Sequence, residues 1–236
     1  MIPPLAIIQA RLGSTRLKNK MLLEVGGRSL IRRAWDASVE AFGEANVVFA
    51  VPSNEKGAAL LMVAIKLIPH VNVFQWDGLE DDVIGRFWHC AHRYRWHPDS
   101  VIVRVTPDDP FKDSRMMLRV ANGERLPVEQ GAEAFTLAML DQAYYKITEE
   151  REHLGMIFFP TRPPPPPPGV WSIDTAEDLA KANLQWTKET LRSATAYRRA
   201  ADDAASGPPY GRGTGDLSDP QMGELHDTYT DPLEGL

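Results

Sequence analysis

A loop of basic and hydroxyl residues follows the first apolar run of the chain. Residues 9–20 contain one glycine, Gly13, together with two hydroxyl and four cationic side chains. At the end of a strand, such a loop aims backbone N–H groups at a phosphate, while Arg11 and Lys20 neutralise its charge. The loop lacks two glycines in the required positions and the Lys-Ser/Thr pair of a Walker A motif. The pattern therefore indicates a phosphate loop of another kind, and a solvated basic turn is the alternative interpretation.

Two aspartates occupy a stiff turn after a later apolar run. Asp108 and Asp109 lie between Pro107 and Pro110. Magnesium in proteins is commonly held by one or two carboxylates together with substrate phosphates. Asp174 ends another short apolar run, so it would converge with Asp108 on one ion if both runs end at the same sheet edge. A turn or capping role for Asp108 is the alternative.

Short apolar runs alternate with amphipathic segments in the first half of the chain. The runs predict strands at Leu5–Gln9, Val47–Val51, Val71–Phe74 and Val101–Val105. The spacing of apolar residues between them predicts helices at Ser29–Phe42, Glu55–Leu67 and Glu80–Trp96. This alternation is typical of βαβ units, which build a parallel sheet with helices on both faces. Ligands of such sheets bind beyond the carboxyl ends of the strands, where the basic loop and the aspartates are expected.

The second half of the chain is less regular. It predicts a strand at Glu133–Thr136 and a helix from Leu137 to about Thr148. Six consecutive prolines, Pro163–Pro168, require an extended polyproline segment. Val170–Ile173 is predicted to return to the sheet as a strand. A helix capped by Asp174 or Thr175 then continues to about Ala205.

Composition limits the classes of protein to which the chain can belong. The 236 residues are 43% hydrophobic, which suits one medium-sized globular domain at Met1–Ala205. No apolar run approaches the roughly 20 residues that span a bilayer, so we expect no membrane partner. Cys90 is the only cysteine, which excludes an intramolecular disulfide. A reducing compartment, and hence a cytoplasmic location, is the expectation.

The last 31 residues differ in composition from the rest. Residues 206–236 contain six acidic residues and one arginine, giving −5 of the total charge of −6, and ten residues are Gly or Pro. This acidic tail cannot bury enough apolar surface to offset its ordering entropy, so we expect disorder unless a partner binds it. We expect such a partner to be another copy of the chain or a larger assembly. The body carries only −1, which argues against broad binding of nucleic acid.

Blocks of residues in a fixed order give the chain a family resemblance. The sequence resembles the cytidylyltransferases, which include the CMP-Kdo and CMP-neuraminate synthetases and the spore-coat polysaccharide biosynthesis group. The matching blocks are Ile7–Leu17 with Lys20–Leu22, Gly78–Phe87, Arg104–Pro110, Glu133 with Phe135, Arg151–His153 and Ser172–Leu179. The resemblance implies a three-layer, Rossmann-like nucleotide-diphospho-sugar transferase fold with a mainly parallel sheet.

The resemblance also implies a site and a reaction. CMP would pass from CTP to an acidic or amino sugar with release of pyrophosphate, in surface polysaccharide or glycoconjugate biosynthesis. Lys20, Asp108 and Asp174 would be catalytic, and the two aspartates would hold Mg²⁺. The residues implied to bind the triphosphate are Arg11, Gly13, Ser14, Arg16 and Lys20. Those implied to form the base and sugar pocket are Gly78, Asp82, Arg86, Glu133, Arg151 and His153.

Three departures from the family pattern lie in these loops. Lys18-Asn19 replaces a common Pro-Gly, and Pro107 replaces the glycine that usually precedes the metal aspartate. Asp109 replaces a common asparagine and is expected to add a charge beside the metal. These changes, with the proline run and the acidic tail, leave one alternative function open. In that alternative the domain is a non-catalytic module of an assembly, docked through its tail.

Overall fold

Five strands form one sheet, and their order across it is Val73–Trp76, Val47–Pro52, Leu5–Gln9, Val101–Val105 and Ala132–Thr136. A computed structural model describes residues 2–10, 16–68, 70–127, 130–152, 154–158, 165–166 and 168–205. The sheet strands are β1 (Leu5–Gln9), β4 (Val47–Pro52), β5 (Val73–Trp76), β6 (Val101–Val105) and β7 (Ala132–Thr136). The first four run parallel, and β7 pairs with β6 in the antiparallel sense. A separate two-stranded hairpin consists of β2 (Glu24–Val25) and β3 (Arg28–Ser29).

Helices cover both faces of the sheet. Their bounds are α1 (Leu30–Phe42), α2 (Glu55–Leu67), α3 (Val83–Tyr94), α4 (Ser114–Ala121), α5 (Leu137–Lys146), α6 (Leu154–Phe158) and α7 (Ala176–Ala205). One core layer joins α1, α2 and α4 to one side of the sheet, and a second joins α3, α5 and α6 to the other. Side chains alternate between these layers along the strands, so that Ala6 and Ile8 enter the first and Leu5 and Ile7 the second. The three-layer α/β prediction is confirmed.

The chain divides into two units, Met1–Ser193 and Ala194–Leu236, with the division inside α7. In the second unit the structure describes the end of α7, from Ala194 to Ala205. Residues 206–236 lie outside the described residues, as do three of the six prolines of Pro163–Pro168. The predictions of a tail docked on a partner and of a polyproline segment therefore remain predictions. Among the described helices, none is long and apolar enough to cross a membrane.

Most predicted elements appear with small shifts at their ends. The third strand begins at Val73 rather than Val71. Helix α3 begins at Val83 instead of Glu80, because the Asp82 carboxylate accepts a hydrogen bond from the Gly85 N–H at 2.8 Å and caps the helix there. The helix from Asp174-Thr175 also forms, and begins at Ala176.

The predicted strand at Val170–Ile173 is wrong. This segment makes no sheet ladder within the part of the chain that the structure describes. Instead, the Ile173 N–H donates to the Asp108 carbonyl at 3.0 Å, and the Val170 N–H donates to the Gln185 side chain. The backbone of this segment therefore connects α7 to the turn that carries Asp108 and Asp109, which we call the aspartate turn.

Helix α7 packs over the β2–β3 hairpin through Trp186. A Cβ atom at Gly26, whose φ is +57°, would overlap the Trp186 indole. The neighbouring Gly27 has a φ of +73°, and no described atom lies within 4 Å of a Cβ built there. The two glycines thus share a left-handed backbone, but only Gly26 is in contact with the helix.

This pair allows the packing of α7 to be measured separately from backbone strain. We expect Gly27→Ala to destabilise the fold by about 1 kcal/mol, because of its left-handed φ. Gly26→Ala should cost about 1–3 kcal/mol more, since the indole has to move. Urea unfolding of both variants measures the difference, and equal losses would contradict this packing of Trp186 on the hairpin.

Candidate functional site

Lys20 lies between the carboxylates of Asp108 and Asp174. Its Nζ atom is 3.0 Å from Asp108 Oδ1 and 3.1 Å from Asp174 Oδ1. The two oxygens are therefore at most about 6 Å apart, as each is about 3 Å from the same nitrogen. Lys20 is 7% exposed, whereas each carboxylate side chain is about one-third exposed. The convergence of Asp108 with Asp174 expected from the sequence is present.

Arg16 adds a second cation to this cluster. Its Nη2 atom lies 3.2 Å from Asp174 Oδ1, and its side chain is 71% exposed. The four charges of Arg16, Lys20, Asp108 and Asp174 cancel, so the cluster is close to neutral. Because Arg16 is solvated, its ion pair is weakly held and is free to exchange for another anion.

Local backbone structure holds Lys20 in place. Asn19 adopts a left-handed conformation, with φ of 53°, and Lys20–Leu22 then form a single 3₁₀ turn. The Leu22 N–H donates to the Asn19 carbonyl at 2.9 Å. Asparagine tolerates this conformation better than most residues. Asn19 can thus adopt the turn at a position where the family commonly has glycine.

The two aspartates are joined through backbone as well as through Lys20. The Ile173 N–H bonds the Asp108 carbonyl, which fixes the two turns side by side. Thr175 and Asp178 cap α7 reciprocally, since the Asp178 carboxylate accepts from the Thr175 N–H at 2.8 Å and the Asp178 N–H donates to Thr175 Oγ1 at 3.2 Å. The Thr175 hydroxyl also donates to the Asp178 carboxylate at 2.8 Å, and this hydrogen bond lowers the pKa of Asp178. Asp174 is thus presented directly before a rigid helix start.

The Arg33 side chain connects α7 to the aspartate turn. Its Nε atom donates to the Val25 carbonyl at 2.9 Å and Nη1 to the Pro110 carbonyl at 3.5 Å. The guanidinium also lies 3.9 Å from the centroid of the Trp186 ring, and Phe111 stacks on the same ring. Burial lowers the pKa of Arg33. We call these three residues, Arg33, Phe111 and Trp186, the α7 clamp.

Asp109 does not add a charge beside the cluster, contrary to the expectation from the sequence. It is fully buried, and its Oδ2 atom lies 3.5 Å from Nζ of the equally buried Lys112. Its Oδ1 atom accepts from the Phe111 N–H at 2.8 Å, and Lys112 donates to the Gln130 carbonyl at 3.2 Å. Burial raises the pKa of Asp109 and lowers that of Lys112, while the attraction between them opposes both changes. The buried Asp109–Lys112 pair therefore stabilises the aspartate turn from the core of the domain.

A second polar group links three neighbouring strands. Arg104 on β6 donates from Nε to Oε1 of Gln9 at 3.0 Å and from Nη1 to Oε2 of Glu133 at 2.9 Å. The Arg104 and Glu133 side chains are less than one-fifth exposed. Glu133, expected to face a sugar, is thus held by Arg104 at the carboxyl end of β6. Gln9 and Arg104 were not predicted as site residues, although a charged side chain inside a buried strand was a signal for Arg104.

A third group borders a cavity of about 600 Å³. Arg151 Nε donates to Asp82 Oδ1 at 2.7 Å, and two of the six expected pocket residues are thus brought together. The same arginine donates to the carbonyls of Tyr144 and Ile147, which ties the loop before α6 to α5. The cavity is lined by Leu79, Asp81, Asp82, Thr148, Glu150, Arg151 and Glu152.

The remaining predicted site residues are placed differently or are not described. Arg86 is 1% exposed and donates to the Glu80 carbonyl at 3.3 Å, so it lies inside the core instead of lining the cavity. It belongs to the buried side of its helix, α3. Gly78 packs against the Trp76 ring. Arg11, Gly13, Ser14 and His153 lie outside the described residues.

Comparison with known proteins identifies the family. The sequence model of the cytidylyltransferase family matches residues 5–125, about half of the chain, and the chain belongs to that family. This confirms the resemblance found in the sequence. The matched region includes Lys20, Asp108 and Asp82 but ends before Glu133, Arg151 and Asp174.

Three curated relatives have moderate similarity. An uncharacterized protein of Methanocaldococcus jannaschii is 26% identical over 82% of this chain and 81% of its own length. The 3-deoxy-manno-octulosonate cytidylyltransferase of Methylococcus capsulatus is 29% identical over 64% of this chain and 59% of its own. The spore coat polysaccharide biosynthesis protein SpsF of Bacillus subtilis is 33% identical over 48% of this chain and 46% of its own. The chain thus spans about half the length of the two relatives with named roles.

Solved structures share the fold. A cytidylyltransferase from Leptospira borgpetersenii is 25% identical, with a TM-score of 0.60 over 75% of this chain and 84% of its own. A CMP:2-keto-3-deoxy-manno-octonic acid synthetase solved with CTP is 16% identical, with a TM-score of 0.55 over 80% of this chain and all of its own. These similarities confirm the nucleotidyltransferase fold.

The buried pair beneath the site gives a test of how the aspartate turn is stabilised. Asp109→Asn keeps an oxygen for the Phe111 N–H but leaves the Lys112 charge buried without a counter-charge, so we expect a loss of about 3–5 kcal/mol in the free energy of unfolding. Urea unfolding measures that loss. The matched double variant, Asp109→Asn with Lys112→Met, should regain most of it, and a double variant as unstable as the single one would contradict the assignment.

Proposed function

We propose that the protein is a CMP-sugar synthetase-like nucleotidyltransferase. It would transfer CMP from CTP to an acidic or amino sugar and release pyrophosphate, in surface polysaccharide or glycoconjugate biosynthesis. The observation that carries the proposal is the convergence of Asp174, directly before α7, on Lys20 and Asp108, which follow the parallel strands β1 and β6. The named relatives, a CMP-Kdo-forming cytidylyltransferase and a spore coat polysaccharide protein, support the same class of reaction.

The aspartate pair suits a magnesium ion. Asp108 Oδ1 is enclosed and has no hydrogen bond, its contact with Lys20 being an ion pair only. Two carboxylates that converge on one ammonium form a negatively charged binding site for a cation, and Mg²⁺ prefers such oxygen ligands. In our proposal Asp108 and Asp174 hold the ion, which would offset the charge of the triphosphate.

Lys20 and Arg16 would bind the nucleotide phosphates. Both now neutralise Asp174, and a divalent cation on the aspartates would remove the need for that interaction. The two side chains would then be available to the triphosphate. Arg11, Gly13 and Ser14, in the same loop, are proposed to complete the phosphate site from its backbone and side chains.

The chemical step requires positioning and charge stabilisation. The sugar hydroxyl oxygen bonds to the α-phosphorus, and the bond from that phosphorus to the β-phosphate oxygen breaks. Pyrophosphate leaves with the bonding electrons, and the hydroxyl proton passes to solvent. Lys20 would stabilise charge on the transferred and leaving groups, which supplies much of the catalysis in such reactions.

The base and the sugar would bind at the other two polar groups. Glu133, oriented by Arg104, and the cavity bordered by Asp82 and Arg151 supply hydrogen-bond acceptors and donors. Gly78 is in close contact with the Trp76 ring and is proposed to shape this pocket through its backbone, and His153 is proposed to face the sugar. Arg86 is proposed to act only by supporting the turn before α3.

Removal of one aspartate charge tests the metal assignment. Asp174→Asn should lower the rate of pyrophosphate release with CTP, Mg²⁺ and a panel of sugars by about 100-fold or more, which is the scale of losing one charge-stabilising group. Asp99→Asn is the control, because its carboxylate is 85% exposed and, among the described residues, forms an ion pair only with His97. Unchanged release in Asp174→Asn would remove Asp174 from the site, and a parent protein that binds no CTP by calorimetry would refute the proposal.

Separate substitutions of Lys20 and of Lys18, a control lysine in the same loop, test the role of Lys20. Lys20→Gln should weaken CTP binding by about 1.5–3 kcal/mol, since a charge-assisted hydrogen bond is lost. Lys18→Gln removes the same charge from an exposed position and should cost much less. Titration calorimetry at two salt concentrations measures both. Equal effects would show that only the net charge of the loop matters.

A further inference from the structure

Helix α2 has apolar residues on both of its sides. Leu60 and Ala64 point inward and are buried against the sheet. On the opposite side, Met62 is 71% exposed and Ile65 is 54% exposed. A helix that is apolar all round is normally covered all round, whereas a surface helix has a polar outer side. The outer side of α2 therefore has the composition of a contact surface.

This surface has a regular layout. We define the α2 outer face as Glu55, Ala58, Ala59, Met62, Ile65 and Lys66, all of which are exposed. Lys66 follows Glu55 by eleven residues, or about three helical turns, so the two charges stand on one line along the helix. Ala59 and Met62 lie between them on the same line. The face is thus apolar in the middle and bears one charge of each sign at its ends.

The charges at the two ends of this face have no ion-pair partner in the part of the chain that the structure describes. Neither Glu55 nor Lys66 makes an ion pair with any residue that the structure describes. Each charge also lies at the helix end that favours it, the glutamate at the first turn and the lysine at the last. An acidic end and a basic end make the face complementary to itself when it is reversed.

We propose that the α2 outer face binds the same face of a second copy of this chain. The helices would run antiparallel around a two-fold axis that passes between Ala59 and Met62. Met62 then lies opposite the partner's Ala59, and Glu55 lies beside the partner's Lys66. In a two-fold interface every contact occurs twice, so this one register pairs both charges of both copies.

Side-chain size is compatible with this register. Ala58 and Ala59 are small, which allows helix axes to approach to about 8–10 Å. Met62 is long and flexible and adapts to the space above the partner's alanines. One helix pair buries less than the roughly 800 Å² per partner of a standard interface. The dimer should therefore depend on protein concentration.

Sedimentation equilibrium of the full chain over a wide concentration range tests the proposal. The average mass should rise from that of one chain toward that of two. Met62→Glu should hold the mass at one chain, because it places a charge in the apolar centre. The control is Leu118→Glu, which introduces the same charge at a 45% exposed leucine of α4 and should leave dimerisation unchanged. Thermal unfolding checks that both variants are folded.

Charge reversal tests the register. Glu55→Lys and Lys66→Glu should each weaken the dimer at least tenfold, since each sets like charges opposite one another twice. The double variant carrying both changes should recover the parent affinity, because every pair again has opposite signs. These results do not depend on nucleotide binding, so they stand apart from the proposed reaction.

Three outcomes would overturn the proposal. A parent protein of one-chain mass at every concentration would show that the face is not self-associating. A dimer that persists in Met62→Glu would locate the contact elsewhere, for example in residues 206–236. A double charge reversal that stays as weak as the single variants would exclude the antiparallel register.

Discussion

The ammonium of Lys20, shared by two carboxylates, is the interaction on which the site depends. Asp108 and Asp174 are 66 positions apart in the chain, and like charges so close would repel without a cation between them. Lys20 supplies that cation from a position that is 7% exposed, where water screens little of the attraction. The negative charge of the two carboxylates, which holds Lys20 in this structure, would also attract a divalent ion. One arrangement thus explains both the stability of the turns and the proposed chemistry.

Asp174 reaches this position because α7 is held against the rest of the domain. The α7 clamp of Arg33, Phe111 and Trp186 ties the helix to the hairpin and to the aspartate turn. The backbone bond from Ile173 to Asp108 then sets the two turns in contact. Half of the proposed metal site is therefore contributed by residues beyond the region that the family model matches. The same holds for Glu133 and Arg151, which would face the sugar.

Most helices and strands were predictable because burying one side of such an element requires a regular spacing of apolar residues. Strands at Leu5–Gln9 and Val101–Val105 and the helix at Glu55–Leu67 form where apolar spacing placed them. The segment Val170–Ile173 has the same composition as a strand, but its partner is the Asp108 carbonyl, which spacing does not reveal. The start of α3 depended on one cap, Asp82, rather than on the apolar pattern.

The placement of a site residue was predictable where it depends on residue type and sheet topology. It was not predictable where it depends on the direction in which a side chain points. Lys20 and Asp108 follow the parallel strands β1 and β6, whose carboxyl ends meet at one edge of the sheet. Asp174 follows no strand and reaches them through the backbone bond from Ile173 to Asp108. Asp109 has the same chemistry as Asp108 and differs by one position, yet it turns inward to Lys112. Arg33 sits in an amphipathic helix like any surface arginine, and only the packing of α7 makes it part of the clamp.

Crystals grown with CTP and Mn²⁺ would test the central claim directly, through the anomalous scattering of manganese. The account predicts one strong peak bonded to both Asp108 and Asp174, with the Lys20 ammonium moved onto the triphosphate. A bound nucleotide with Lys20 still bridging the two carboxylates, and manganese absent or held elsewhere, would contradict it.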